Sequence, residues 1–280
     1  AALGRDVPLA DWLKLIDRLA IEVTEDLVKG LVARGLADWD RTEWRFTHQT
    51  LIDVLEERSR NAGRWQVIQR GIADWLEERL HHDSKAMALR LARHRLEADQ
   101  TEEGLEALMQ ACHIATRQHD TTTLRLAVDR HSRHLQRLPR HRALPHRLRN
   151  TRYRVMLELL SGNSQDAFAD FFEGERLGRG TEHRGEFGWL LISGAICMRH
   201  VDRRDECLDF LEEAREIFAD IGDDRGLAET LFQHGLTVGY RGRYSRAARD
   251  FERSAALFLT CGAPIRALEV NRWRSTIYIL

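Results

Sequence analysis

Apolar side chains recur at helical spacing through most of this chain, and the break in that rhythm falls near the front. Residues 9–19 (LADWLKLIDRL) and 24–35 (TEDLVKGLVARG) each put Leu, Ile, Val or Trp on one stripe, with Thr24 suited to cap the second helix and Gly35 to end it. The period then changes. LADW and EWRF flank Asp40-Arg41-Thr42 and alternate apolar with polar, which predicts a small β-hairpin. Helical spacing returns over 47–60 and 64–80, the latter carrying Trp65, Ile68, Ile72, Trp75 and Leu76 on one face. From about Lys85 onward, helices alternate with short breakers such as Asp99-Gln100-Thr101, Ser161-Gly162-Asn163-Ser164, Gly222-Asp223-Asp224, Gly242 and Gly262-Ala263-Pro264. The four prolines, at 8, 139, 145 and 264, are expected outside helix interiors.

A second rhythm lies over the first. Small residues recur every forty positions at Ala127, Ala167, Cys207 and Ala247, with His131, Phe171, Leu211 and Phe251 one turn further on. A third column holds Gly174, Ala214 and Ser254. A fourth, twelve residues upstream of the first, holds Ala115, Val155, Ala195, Gly235 and Ser275. Antiparallel helices cross closely only where side chains are small, and a large residue beside the crossing fills the groove. The pattern therefore predicts stacked helical hairpins, each burying its apolar face against its neighbours.

The expected organisation is a first domain over 1–82, irregular helical repeats over 83–138, and regular repeats over 139–280, with Leu138–Pro145 as a longer dividing connection. The start at Ala1 and the stop at Tyr278-Ile279-Leu280, inside the first helix of a further repeat, predict a piece of a larger protein. Charge adds a constraint. With 43 basic and 44 acidic side chains the net charge is −1, so any attraction for nucleic acid or membrane must be local. No run of apolar residues is long enough for a membrane span, and no leader precedes a cleavage site. Cys112, Cys197, Cys207 and Cys261 lack metal or disulfide spacing and are expected to be small, reduced core residues of a cytoplasmic protein.

The forty-residue columns resemble the tetratricopeptide pattern of small, aromatic and alanine positions, in the longer form found in bacterial regulatory ATPases, and fit best over 183–280. The front, with LVARGL, a hairpin, WRFTHQTLIDVLEERSR and ADWLEERL, resembles the winged-helix domain of STAND-class signal-transducing ATPases. Within that class a histidine just after the second hairpin strand commonly touches the ADP phosphate, and His48 in Phe46-Thr47-His48 matches it. Thr47 and Gln49 depart from the Met and Asp that often flank that histidine. The resemblance implies an all-α fold: an N-terminal winged helix with a small β-hairpin, then a tetratricopeptide-like α-solenoid. It implies ADP or ATP in the parent protein, none in this segment, and an upstream nucleotide-binding module as partner.

Several other clusters carry candidate chemistry. Arg133, Arg137, Arg140 and Arg142 belong to a basic run over 130–149 that could hold an anion, although no aromatic residue interleaves it as a stacking platform. Gly178, Gly180, Gly185 and Gly188 have part of the spacing of a phosphate loop but no preceding strand and no Gly-Lys-Ser/Thr, which predicts a loop between repeats. His81-His82-Asp83 lacks the further ligands a metal needs. Nothing resembles a nucleophile and base, so no catalytic or metal residue is expected. Repeat register places Trp189, Ile192, Ile196 and Arg199 beside Glu229, Phe232, Leu236 and Tyr240, with Glu269 and Arg272 beyond, on an unusually apolar groove for a protein or peptide ligand. The same residues would also serve as plain core between longer helices.

The reading that follows is a non-catalytic regulatory segment: a winged helix coupling nucleotide state to a repeat array that senses a partner, with oligomerisation on activation. The alternative is a transcriptional regulator whose winged helix binds DNA and whose repeats bind an inducer. Charge argues against it, since Lys29, Arg34, Arg41 and Arg45 are offset by Glu25, Asp26, Asp38, Asp40 and Glu43.

Overall fold

The computed structural model describes residues 6–19, 25–39, 43–79 and 84–277, so Thr24, Asp40-Arg41-Thr42, His81-His82-Asp83 and Tyr278-Ile279-Leu280 lie outside the described residues. It divides into two compact units, 1–114 and 115–280.

In the first unit the predicted elements appear in order. Strand β1 (Asp6–Pro8) leads into α1 (Leu9–Arg18), followed by α2 (Glu25–Ala33), β2 (Ala37–Trp39), β3 (Glu43–Phe46) and α3 (Gln49–Asn61). The hairpin pairs Ala37 with Phe46 and Trp39 with Trp44. It gains a third strand, because β1 pairs antiparallel with β3 on its other side, Asp6 against Arg45 and Pro8 against Glu43. β1 is three residues long and ends in proline, which an edge strand tolerates. Gly35, at φ +68°, ends α2, and the Leu36 and Gly35 N–H groups close on the Leu31 and Val32 carbonyls. Val28, Ala37, Phe46 and Ile52 form the core beneath, with Trp12, Leu31, Leu51 and Leu55 packed against it.

Three helices continue this unit: α4 (Trp65–Glu77), α5 (Lys85–Glu97) and α6 (Thr101–Arg117), the last crossing into the second unit. The predicted stripe of α4 is buried at Trp65, Ile72, Trp75 and Leu76. Between α4 and α5, Arg95 is buried against Asp74 and Glu77 at 2.8 and 2.5 Å, and His94 Nδ1 lies 2.5 Å from Gln69 Oε1. Burial lowers the His94 pKa to about 3.

The second unit alternates helices in two roles. The first of each hairpin are α8 (Arg140–Leu160), α10 (Arg184–His200), α12 (Asp224–Gly239) and α14 (Pro264–Ile277); the second are α7 (Thr121–Leu135), α9 (Ser164–Gly178), α11 (Arg204–Ile221) and α13 (Tyr244–Thr260). The columns predicted from sequence sit at the crossings. Ala127, Ala167, Cys207 and Ala247 are fully buried, as are His131, Phe171 and Phe251, with Leu211 almost so. The large column residues lie against glycines: a Cβ on Gly194, next to the column residue Ala195, would overlap the Phe171 ring, and one on Gly235, in the fourth column, would stand 2.7 Å from Phe251. The turns obey the same period. Gly162, Asp202 and Gly242 all have positive φ, forty residues apart, and Gly222 and Gly262 repeat the device at the next turn. Ser275 departs from its column and is exposed, while its hydroxyl donates to the Asn271 carbonyl at 3.0 Å.

Three expectations fail here. Pro145 is inside α8, in its second turn, so Leu138–Pro145 is not a long connection; α8 begins directly after Pro139 and forgoes only the bond Pro145 cannot donate. The glycine-rich stretch is mostly helical: Gly178 ends α9, and Gly185 and Gly188 lie in α10. Gly178 and Gly188 give space to the Phe187 and Phe218 rings. Cys261 is exposed just past α13, whereas Cys112, Cys197 and Cys207 are buried.

Candidate partner-binding surface of the repeats

Adjacent first helices touch one another directly, α8 against α10 and α10 against α12. Side-chain bonds cross these gaps, so the first helices line one continuous face. What lies along it is polar, not the apolar groove expected from register. Arg266 on α14 bridges Glu229 on α12 and Glu269 on its own helix. Glu269 also receives Arg117 Nη2 at 3.2 Å. Gln233 Nε2 donates to Glu229 at 2.8 Å and Gln233 Oε1 accepts from Arg199 Nη2 at 2.9 Å. Thr237 extends the line, within 3.5 Å of Arg199 Nη1 and 3.3 Å of Cys207 Sγ. At the other end the Arg152 guanidinium lies 4.5 Å from the Trp189 ring centre.

Two electrostatic environments differ sharply. Burial alone would raise the Glu229 carboxyl, but the Arg266 charge and the bonds from Gln233 and Arg266 outweigh it and hold the pKa below the usual carboxylate range. Arg199 has weaker help, since Glu229 acts on it through its charge without a bond. Its described bonds all go to neutral acceptors, the Gln233 side chain, the Gln233 carbonyl and the Thr237 hydroxyl, and burial pushes its pKa down. A desolvated guanidinium with no carboxylate among its described bonds is a costly arrangement in a folded chain.

The residues expected on the groove divide between core and surface. Ile192 and Phe232 are buried in the repeat cores, Phe232 with its ring 5.9 Å from that of Phe251. They are core because the first helices are packed on nearly every side. Ile196 and Leu236 are half-buried against the same cores, and Trp189 stacks edge-on to Phe218 at 5.5 Å. Arg199 lies on the polar line, Arg272 is exposed, and Tyr240 is 58% exposed one helical turn beyond Leu236. Sequence reasoning missed Arg117, Arg152, Gln233, Thr237 and Arg266. A signal was present: Arg149–Glu186 and Glu229–Arg266 both span 37 residues, one helical turn short of the forty-residue repeat.

His48 stands at the N-terminus of α3, exposed, in extended backbone and without a capping bond from its side chain. Thr47 before it is fixed, its hydroxyl donating to the Gly35 carbonyl at 2.8 Å and its N–H to that of Leu36 at 3.1 Å. Arg133, Arg137, Arg140 and Arg142 come together at the α7–α8 corner, all exposed. Among the described residues no cluster could hold a metal ion, and no helix is long and apolar enough to cross a membrane.

The buried small-and-large columns over two successive hairpins, α10 to α13, decide the kinship of this region. Residues 189–260 match the tetratricopeptide repeat model. Among curated proteins no sequence matches the chain. A number of solved structures are similar, among them two that cover most of this chain. One is a Signal Transduction ATPase with Numerous Domains (STAND) protein with a tetratricopeptide repeat sensor from Pyrococcus horikoshii, at 12% identity and a TM-score of 0.47, with 99% of this chain covered. The chain spans 52% of that protein's length. The other is BtubC from P. vanneervenii, at 13% identity and a TM-score of 0.46, covering 73% of this chain and 91% of that one. The match to the tetratricopeptide repeat model thus runs from Trp189 on α10 to Thr260 at the end of α13.

Proposed function

We propose that this chain is a regulatory, partner-sensing segment in which the first helices of the tetratricopeptide repeats bind a protein or peptide bearing a carboxylate. The observation that carries the reading is Arg199, a half-buried guanidinium whose described hydrogen bonds all go to neutral acceptors, one helical turn along the same face from the half-buried Ile196 and near exposed Tyr240. A carboxylate from outside would supply the directly bonded charge partner that Glu229 is not, and an aromatic ring at the rim would add apolar contact. Peptide-display selection against the intact chain tests this. Enrichment of acidic sequences that is lost in Arg199→Leu supports it; enrichment of basic sequences, or selection unaffected by Arg199→Leu, contradicts it.

The front unit has a different task in this reading. It is a winged helix whose exposed His48, at the positive end of α3, donates to the phosphate of ADP held by an upstream module of the parent STAND-type ATPase. Partner binding on the repeats then favours an open, ATP-bound and oligomerising form through its differential affinity for the two states. The resemblance of the residues around His48 supports this, together with the third strand and the fixed Thr47 that set the histidine at the helix mouth. In the parent protein His48→Ala weakens ADP binding; unchanged ADP affinity removes the assignment.

A further inference from the structure

Between Asp129 and Glu158 the chain carries nine arginines, four histidines and not one carboxylate. Nowhere else is a molecule of net charge −1 so one-sided. Seven of these arginines fall into two groups. Arg149 pairs with Glu186, Arg154 with Asp170, and Arg152 lies over the Tyr153 and Trp189 rings. Those three are engaged by neighbouring helices. Arg133, Arg137, Arg140 and Arg147 are exposed at the end of α7 and the start of α8, and among the described residues none of the four forms an ion pair. Arg133 spends one donor on the Asp129 carbonyl, at 3.3 Å, which steadies the side chain and leaves the rest of the guanidinium free to bond.

We infer that the α7–α8 corner is a docking surface for the phosphate backbone of a nucleic-acid duplex. The inference does not rest on the reading of Arg199 or His48. Arg133 near the end of α7, Arg137 in the four-residue turn, and Arg140 and Arg147 on α8 present forked donors around one corner of the chain. Such forks match phosphate oxygens bidentately. What surrounds them selects among anions. The exposed neighbours are Gln136, Pro139 and His141, and between Leu126 and Phe172 no described Phe, Tyr, Trp or large aliphatic side chain is exposed. A single strand would need a ring to stack on, a protein partner an apolar or aromatic anchor, and a membrane an apolar side chain to insert. A duplex backbone needs none of these.

The test is fluorescence anisotropy of the full chain with a labelled mixed-sequence DNA duplex of about 20 base pairs. Binding at low salt should weaken roughly a hundredfold between 50 and 200 mM KCl, as expected for about four phosphate contacts. Arg133→Glu with Arg137→Glu and Arg140→Glu should lower affinity at least tenfold and flatten the salt dependence, with an unchanged melting temperature showing that the fold persists. The exposed pair Arg249→Glu and Arg253→Glu on α13 should leave binding within twofold of the parent. Absence of duplex binding at 50 mM KCl overturns the inference. So does binding insensitive to the triple substitution, or binding abolished by Arg45→Glu at the hairpin instead. Tighter binding of a single strand, of polyglutamate or of phosphatidylserine vesicles through the same arginines equally overturns it.

Discussion

Opposite sides of one helix, α12, are held by contrary means. On one side Gly235 lies against the Phe251 ring and Ser254 donates to the Ala228 carbonyl at 2.7 Å, so α12 and α13 are drawn together by shape. On the other side Glu229, Gln233 and Thr237 reach α10 and α14 through charges and amides. The first side is closed, with nothing left to bind. The second buries Gln233 and Thr237 among polar partners and leaves the half-buried Arg199 guanidinium with no carboxylate among its described bonds. In the proposed function, the repeat array separates the two tasks by face: within hairpins it packs, and between first helices it would recognise a partner.

That contrast can be broken most severely on the packed side. Phe171→Ala removes a fully buried ring from between Ala167 and Gly194 and should cost about 4 kcal/mol in chemical denaturation. Gly194→Ala drives a methyl into the same ring and should cost about 2 kcal/mol. Combining Gly194→Ala with Phe171→Leu should cost less than the two separately, because the overlap is relieved. Additive costs would show that the two positions are not coupled. On the polar side, Glu229→Gln leaves Arg266 with one carboxylate in place of two and should cost about 2 kcal/mol, measured the same way. Its effect should appear only above the acid range. Glu229 titrates low in the folded chain, so its contribution is full above the unfolded carboxylate pKa and lost as the pH falls through the folded one.

His131 sharpens the comparison, since it stands in a column where Phe171 and Phe251 stand in later repeats. Burial, with nearby His146 and Arg149, lowers its pKa to about 3, and its Nδ1 accepts from the Asn150 amide at 3.1 Å. The unfolded chain binds a proton below about pH 6.5 that the folded chain refuses until about pH 3, so stability falls as the pH falls through that window. His131→Phe should reduce the slope of stability against pH there by up to about 1.4 kcal/mol per pH unit. His94, with the same lowered pKa, would keep its own share. An unchanged slope would mean that His131 takes up its proton without unfolding. The smallest effect belongs to Arg199: Arg199→Leu should change stability by less than about 1 kcal/mol, because removing a desolvated charge offsets the bonds lost to Gln233 and Thr237.

The packed side was legible in the sequence because a crossing of helices constrains two positions tightly, one small and one large. Ala167 and Phe171, or Ala247 and Phe251, announce the crossing wherever they recur. The hairpin of β2 and β3 was legible from alternation, but β1 was not. Three residues ending in Pro8 carry no period, and their pairing partner lies 35 or more residues away. Pro145 misled because proline in a second turn breaks one bond, not the helix. The polar face was misread for a geometric reason. Helical register puts Ile192 and Phe232 near Arg199 and Glu229, yet a first helix is packed on so many sides that its apolar residues turn inward and leave the charges on the open line. Only the 37-residue offset of pairs such as Glu229–Arg266 marks that line in advance.

Photo-cross-linking tests the account most directly, with benzoylphenylalanine placed at Tyr240 on the polar face or at Leu259, equally exposed on α13, and an acidic peptide from the display selection as probe. The account predicts cross-links from position 240 that vanish with Arg199→Leu, and none from position 259. Equal cross-linking at both, or cross-linking from 259 alone, would contradict it.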